Sequence, residues 1–153
     1  MRFFYMDKLL PRGVGVIVTN DKRTHFYLQQ KDDSYHIEEY RLHYTLFGGA
    51  IEEGESEESA LSREIEEELG ENVVRVLLKN VRRIEDHDFI NVLGQKYNFT
   101  LYEAIVSNDY LKFLPNVKVM EGKGGFLFSR KEIEKVPLFR KLKPFFQRYL
   151  STI

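Results

Sequence analysis

The chain has 153 residues, with 23 Lys and Arg against 24 Asp and Glu and a formal net charge of −1. That length suits one domain with a substantial core, and the near-neutral balance argues against broad electrostatic binding of nucleic acid. There is no Cys, which excludes disulfides and thiolate metal sites. The opening residues, MRFFYMDKLLPRG, turn charged too soon for a signal peptide or a membrane span, so the expectation is a cytoplasmic protein with no membrane partner.

Residues Gly13 to Thr19 form a short apolar, β-branched run, which predicts a buried strand. Asn20-Asp21-Lys22 reads as a turn and His25 to Gln30 as the partner strand. Lys31 to Arg41 is polar and irregular, so an exposed loop is expected there. Tyr44 to Phe47 is a further apolar run, and Gly48-Gly49 after it predicts a tight turn with close backbone approach. Ser56 suits an N-cap, with Glu57 and Glu58 at the positive end of a helix dipole. Leu61, Ile65 and Leu69 recur at i, i+4 and i+8, and Gly70 is a natural stop, so the helix runs from Glu57 to Leu69.

Val73 to Ile84 is rich in Val and Leu and predicts a strand. Tyr97 to Val106 and Gly125 to Phe128 predict two more. Ser129 is placed to cap a turn of helix at Lys131 to Glu134. Leu138 to Tyr149 predicts a final helix whose apolar positions are Leu138, Leu142, Phe145, Phe146 and Leu150. Strands flanked by two separated helices point to a layered α/β sandwich around a mixed sheet. No repeat or linker divides the chain, so residues 1–153 are read as one domain.

The acid is concentrated in one place. Ten glutamates fall between Glu52 and Glu71, and Arg63 is the only basic residue among them. Self-repulsion on that scale destabilises a fold unless cations offset it. Glu64, Glu67 and Glu68 stand at i, i+3 and i+4, so on a helix they share one face. Three carboxylates on one face are hard oxygen ligands suited to Mg²⁺ or Mn²⁺. A solvated Glu-rich helix is the alternative.

The segment resembles the Nudix box: Gly, five residues, Glu, seven residues, Arg-Glu-aliphatic, one residue, Glu-Glu, one residue, Gly-aliphatic. The matching positions are Gly49, Glu55, Arg63, Glu64, Ile65, Glu67, Glu68 and Gly70, and the final aliphatic position holds Glu71 instead. The resemblance implies a Nudix-type α/β/α sandwich and hydrolysis of a nucleoside diphosphate derivative, NDP-X, to NMP and phospho-X. It implies Mg²⁺, or Mn²⁺ in its place, and a small nucleotide as partner. Carried over residue by residue, Glu64, Glu67 and Glu68 would be metal ligands, with one of them or another carboxylate as general base. Arg63 would pair with Glu55 and hold the loop against the helix. Gly48, Gly49 and the Ala50 backbone would lie against metal or phosphate. Glu121, in MEGKGGFLF, resembles a loop carboxylate that faces the metals in some members; an ordinary loop glutamate is the other reading.

Other candidates carry less. Lys31 follows a strand and is placed to reach a phosphate. Arg82-Arg83 could touch phosphate, but a paired Arg in a strand usually splits between faces. Tyr27, Tyr44 and Phe47 suit stacking on a base, yet aromatic core is their commoner fate. His25, His36, His43 and His87 have no metal-ligand spacing. There is no Pro before the box glycines, none between Gly70 and Pro115, and no Trp anywhere. These absences disfavour the coenzyme A, ADP-ribose and NADH-directed patterns and favour a nucleoside triphosphate, a nucleotide sugar or another small nucleotide. A non-catalytic nucleotide-binding module of the same family is the competing class; its carboxylates tend to be eroded, whereas all three are present here. Oligomeric state is left open by the sequence.

Overall fold

The computed structural model describes residues 11–90 and 93–152. The N-terminal segment read above for targeting signals lies largely outside them. The strands are β1 (Arg12–Thr19), β2 (His25–Gln30), β3 (Tyr44–Thr45), β4 (Phe47–Ala50), β5 (Val81–Ile90), β6 (Lys96–Ile105) and β7 (Gly124–Ser129). The helices are α1 (Glu57–Leu69), α2 (Glu71–Leu78), α3 (Asn108–Phe113), α4 (Arg130–Ile133) and α5 (Leu142–Ser151). The strands form one mixed sheet in the order β3-β2-β1-β6-β5, with β4 paired to β1 and β7 to β2.

β1 is the hub, and its composition explains why. It is buried from Gly13 onward, as a β-branched run flanked on both edges must be. One edge pairs in parallel with β6 along its whole length. The other is shared, by β4 against Gly13 to Val16 and by β2 against Val18 and Thr19. Alternation then sorts the side chains. Val14, Val16 and Val18 enter a core with Leu61, Ile65 and Leu69 of α1 and Val73, Val74 and Leu77 of α2. Ile17 enters a second core with Phe26, Leu28 and Phe145, Phe146 and Tyr149 of α5. The result is an α/β/α sandwich. No helix among the described residues is long and apolar enough to cross a membrane.

Four expectations need correction. Val73 to Ile84 is not one strand. Its first part is α2, because Val73, Val74 and Leu77 share one helical face that packs into the α1 core; burial overrides their β preference. Gly48-Gly49 does not form a turn after a strand but lies within β4, opposite Gly15 and Val14. The last helix starts at Leu142 rather than Leu138. Residues 137–139 instead pair with β3, Tyr44 N–H donating to Pro137 O and Phe139 N–H to Tyr44 O at 2.8 and 3.0 Å. Lys31 to Arg41 is not wholly an exposed loop, since Tyr40 is buried and stacks on Phe139 with ring centroids 4.0 Å apart. Helix α3, capped by Ser107, was not anticipated.

A fully buried carboxylate fastens the second helical layer to the sheet. Glu103 of β6 accepts from Arg23 at 2.8 and 3.0 Å and from Arg82 at 2.8 Å, and it also accepts the Tyr149 hydroxyl of α5. Arg82 and Arg83 do split between faces: Arg83 pairs with Glu57 of α1 and with Asp86. Burial alone would raise the Glu103 pKa, but its hydrogen bonds to Arg23, Tyr149 and Arg82 outweigh that and hold it near 2.

A carboxylate with a depressed folded pKa stabilises the fold above its unfolded pKa and loses that contribution as pH falls through the folded value. Glu103→Gln is therefore expected to cost about 3 kcal/mol at pH 7. The deficit relative to wild type should shrink between pH ~4.5 and ~2.5. Urea melts of both proteins across that range measure it; a deficit that does not change with pH would contradict the assignment.

Candidate active site

The site is built on α1. Ser56 caps the helix, its hydroxyl accepting from Ser59 N–H at 3.1 Å, and Gly70 closes it with φ 94°. Ala60, Leu61, Ile65 and Leu69 are buried, which fixes the helix rotation. The adjacent face, carrying Glu64 and Glu68, is thereby pressed against β4.

Arg63 ties the preceding loop to this helix. Its Nε and Nη2 donate to both oxygens of Glu55 at 2.7 and 3.0 Å, a bidentate pair. Nη2 also donates to Ala50 O at 2.9 Å. Nη1 donates to Glu64 at 2.9 Å and to Glu67 at 3.4 Å. Glu55 accepts in addition from Glu52 N–H at 2.9 Å. Arg63 first, and the Glu52 amide second, hold the Glu55 carboxyl down near 2.

Glu68 is only 2 % exposed. It accepts from Gly48 N–H at 3.0 Å and from the Gln29 amide at 2.9 Å. Burial pushes its pKa up to about 8, and the charge of Glu64 adds to the rise. The two hydrogen bonds and the charge of Lys31 act in the opposite sense without cancelling it. Glu64 is half-buried and also raised, chiefly by burial and further by Glu67 and Glu121, against the pull of Arg63. A methyl group on Gly49 would sit 2.4 Å from the Glu64 carboxyl carbon, and Gly48 has φ 146° with β1 backbone against it. The two glycines therefore let a strand and an acidic helix approach without intervening side chains. Glu67 is 59 % exposed and Glu66, between them in sequence, is also exposed.

Glu121 lies in an exposed loop pinned on both sides. Met120 N–H donates to Glu68 O at 3.0 Å and Lys123 N–H to Gln30 O at 2.9 Å. The loop thus bridges the end of α1 and β2, and Glu121 is near enough to raise both Glu64 and Tyr35.

The chemistry of this donor set suits a hard divalent cation. Glu64 and Glu67 already converge on one cationic atom, Nη1 of Arg63, and Glu64, Glu67, Glu68 and Glu121 are linked by mutual repulsion. The side chains stand apart from ligand spacing, however: no three His, Asp or Glu gather closely enough to hold a metal ion among the described residues. Glu64 and Glu67 each commit only Oε1 to Arg63.

Beside Gly48 and Gly49 opens a cavity of about 270 Å³, walled by Tyr35, Tyr40, Phe89, Tyr97, Phe99 and Phe139 and reached by Lys31. Gly13 and Gly15 make room for it, because Tyr97 and Phe99 lie directly over them. Tyr27 and Phe47 are not part of the wall; they are fully buried and stack on each other at 5.0 Å. Tyr44 is wedged between Phe126 and Phe128. The histidines form no metal-holding group among the described residues. Gln29 was missed in the sequence, although its signal was present: it follows Tyr27 at period two in β2 and so faces α1.

The architecture is a sandwich with a glutamate-rich helix laid against a glycine pair. The family model described as NUDIX domain matches residues 9–139, and the chain belongs to the Nudix family. No curated protein matches the chain. Solved structures do. The MutT protein from Methanosarcina mazei Go1 is similar at 18 % identity and TM-score 0.67, covering 94 % of each chain. The E. coli dihydroneopterin triphosphate pyrophosphohydrolase is similar at 12 % identity and TM-score 0.66, covering 93 % of this chain and 96 % of that one. A C. elegans Ap4A hydrolase is similar at 16 % identity and TM-score 0.61, covering 92 % and 96 %. At these identities the likeness is one of fold.

Arg63 makes contacts that only a planar guanidinium can make together. Arg63→Lys is expected to lower the melting temperature by about 3 °C or more, since one ammonium cannot hold Glu55, Ala50 O and Glu64 at once. A scanning melt at pH 7 checks this, and a wild-type midpoint would contradict the clamp.

Proposed function

We propose that the protein hydrolyses a diphosphate linkage in a nucleoside diphosphate derivative, NDP-X, to NMP and phospho-X, with Mg²⁺ or Mn²⁺ as cofactor. The observation that carries this reading is the pairing of a desolvated carboxylate helix with an aromatic, nucleoside-sized cavity, joined at Gly48 and Gly49. A nucleoside triphosphate or a nucleotide sugar fits the cavity better than a larger ligand.

Glu64, Glu67 and Glu68 would hold the cation. When bound, it supplies neutralisation of phosphate charge and acidification of a coordinated water. The chain's own residues do the rest. Lys31, which lines the cavity and acts on Glu68, offers positive charge to the diphosphate. The backbone at Gly48, Gly49 and Ala50 leaves space for phosphate oxygens beside the helix. The aromatic walls hold the nucleoside and exclude water from it. Glu121, on its pinned loop and close enough to act on Glu64, would accept a proton from the attacking water. Arg63 and Glu55 are positioning residues, since they hold α1 and its loop in register without reaching the cavity.

Hydrolysis should require added Mg²⁺ or Mn²⁺ and stop in excess EDTA. Glu67→Gln and Glu68→Gln are each expected to reduce kcat by about 100-fold or more, because each removes a ligand or base. Glu66→Gln should stay within a few-fold of wild type. Phosphate-release kinetics over a nucleotide panel measure all of this. Turnover unchanged in EDTA, or equal losses at Glu66 and Glu67, would sink the mechanism.

A further inference from the structure

Gln29 of β2 is only 1 % exposed. Its partners across the strands are Thr45 of β3 and Gly125 of β7, which brings no side chain. Its amide nitrogen is fully used: it donates to Leu46 O and to Glu68 Oε2, each at 2.9 Å. The amide oxygen is different. Oε1 is buried and meets no donor among the described residues. Turning the amide over would take the donors from both acceptors and set Oε1 against Leu46 O. Buried polar atoms are nearly always paired, and one that is not is costly. This one belongs to a residue that lines the cavity beside Gly48 and Gly49.

The position of Gln29 narrows the missing donor. Glu68 also accepts Gly48 N–H, on Oε1, at 3.0 Å. Each Glu68 oxygen therefore has one fixed donor, which sets the plane of the carboxyl group and leaves a lone pair free on each oxygen. A Mg²⁺ ion held by carboxylates keeps several of its waters, and those waters are donors. Gln29, joined to Glu68 through its nitrogen, keeps its oxygen within one side-chain amide of that carboxylate.

We propose that Gln29 is a positioning residue of the cation site: its amide nitrogen fixes the Glu68 carboxylate, and its amide oxygen accepts a hydrogen bond from a water on the bound divalent cation. This rests on the hydrolase reading above, to which it adds an uncharged residue of β2, outside the acidic helix. A residue that served the fold alone would be needed only for its two donated bonds.

The test measures Mn²⁺ affinity by calorimetry and by loss of the free-ion EPR signal, with no nucleotide present, and melting temperature in EDTA. The proteins are wild type, Glu68→Gln, Gln29→Met, Gln29→Glu and Gln30→Glu. Met matches Gln in length and lacks both functions, whereas Glu keeps the acceptor and loses the donors. Gln30 points to the other face of β2, where its amide donates to Leu42 O at 3.0 Å, so Glu there controls for added charge. Gln29→Met is expected to weaken Mn²⁺ binding by about tenfold or more. Gln29→Glu is expected to melt below Gln29→Met in EDTA, because it repels Glu68, yet to bind Mn²⁺ at least as tightly as wild type. For a residue serving the fold alone, affinity would instead fall with stability. Wild-type affinity in Gln29→Met, weaker binding in Gln29→Glu than in wild type, or an equal gain in Gln30→Glu overturns the proposal. Should Gln29→Glu fail to fold, the affinity of Gln29→Met decides. If wild type binds no Mn²⁺, or Glu68→Gln binds it as tightly, the cation site falls and the role of Gln29 with it. If Mn²⁺ binds but no nucleotide is hydrolysed, the hydrolase reading falls, and the affinities still decide the role of Gln29.

Discussion

Holding acid out of water is the constraint on which the rest of the molecule depends. α1 must bury Ala60, Leu61, Ile65 and Leu69 to join the core, and that rotation carries Glu68 inside and Glu64 half inside. The cost of desolvating these carboxylates appears directly in their raised pKa values. Three features limit that cost. Gly48 N–H and Gln29 hydrogen-bond to Glu68, Lys31 lies near enough to act on it, and Arg63 shares its guanidinium among Glu55, Glu64 and Glu67. A helix optimised for stability alone would not carry this arrangement.

The two faces of the sheet divide the work. The α1 face supplies the carboxylates, while the α5 face, fastened through Glu103, Arg23, Arg82 and Tyr149, supports the opposite side of β1 and β6. The cavity lies where β4 and β6 flank β1, over Gly13 and Gly15. Its outer wall comes from two irregular segments, around Tyr40 and Phe139, that stack on each other and pair through Glu39 and Arg140. Irregular backbone on a rigid scaffold is where specificity is usually set, and both Tyr35 and Lys141 lie on such segments.

Much of this was legible in the sequence wherever one local signal dominated. The bounds of α1 follow from Ser56, the Leu61-Ile65-Leu69 stripe and Gly70, all of which act within one helix. β1, β2 and β7 follow from short apolar runs between turn residues. α2 was misread because Val73, Val74 and Val76 favour strands in isolation and become helical by packing on α1. The start of α5 was misplaced because Leu138 looks periodic with Leu142, yet the backbone around it pairs with Tyr44. In the site, the carboxylates were visible because their spacing is local. Gln29, Tyr97, Phe99 and Lys141 were not, because the sheet register and the fold of residues 137–141 bring them from far away in the chain to the cavity beside Gly48 and Gly49.

The acidic face of α1 is where the proposed Mg²⁺ would bind, and the desolvation of Glu68 makes that testable. Glu68 holds its proton up to about pH 8 when folded and gives it up near 4.5 when unfolded. A carboxylate with a raised folded pKa costs stability as pH climbs through that interval, and the cost is complete above it. The direct measurement is a thermal melt at pH 5.5 and pH 8.5, in Mg²⁺ or in EDTA, for wild type and Glu64→Gln. At pH 8.5, a hundredfold excess of Mg²⁺ over its Kd should raise the wild-type midpoint by about 5–10 °C. The rise should be smaller at pH 5.5, where protons already relieve the repulsion, and smaller still in Glu64→Gln. An equal rise in the mutant would place the ion elsewhere and contradict the account.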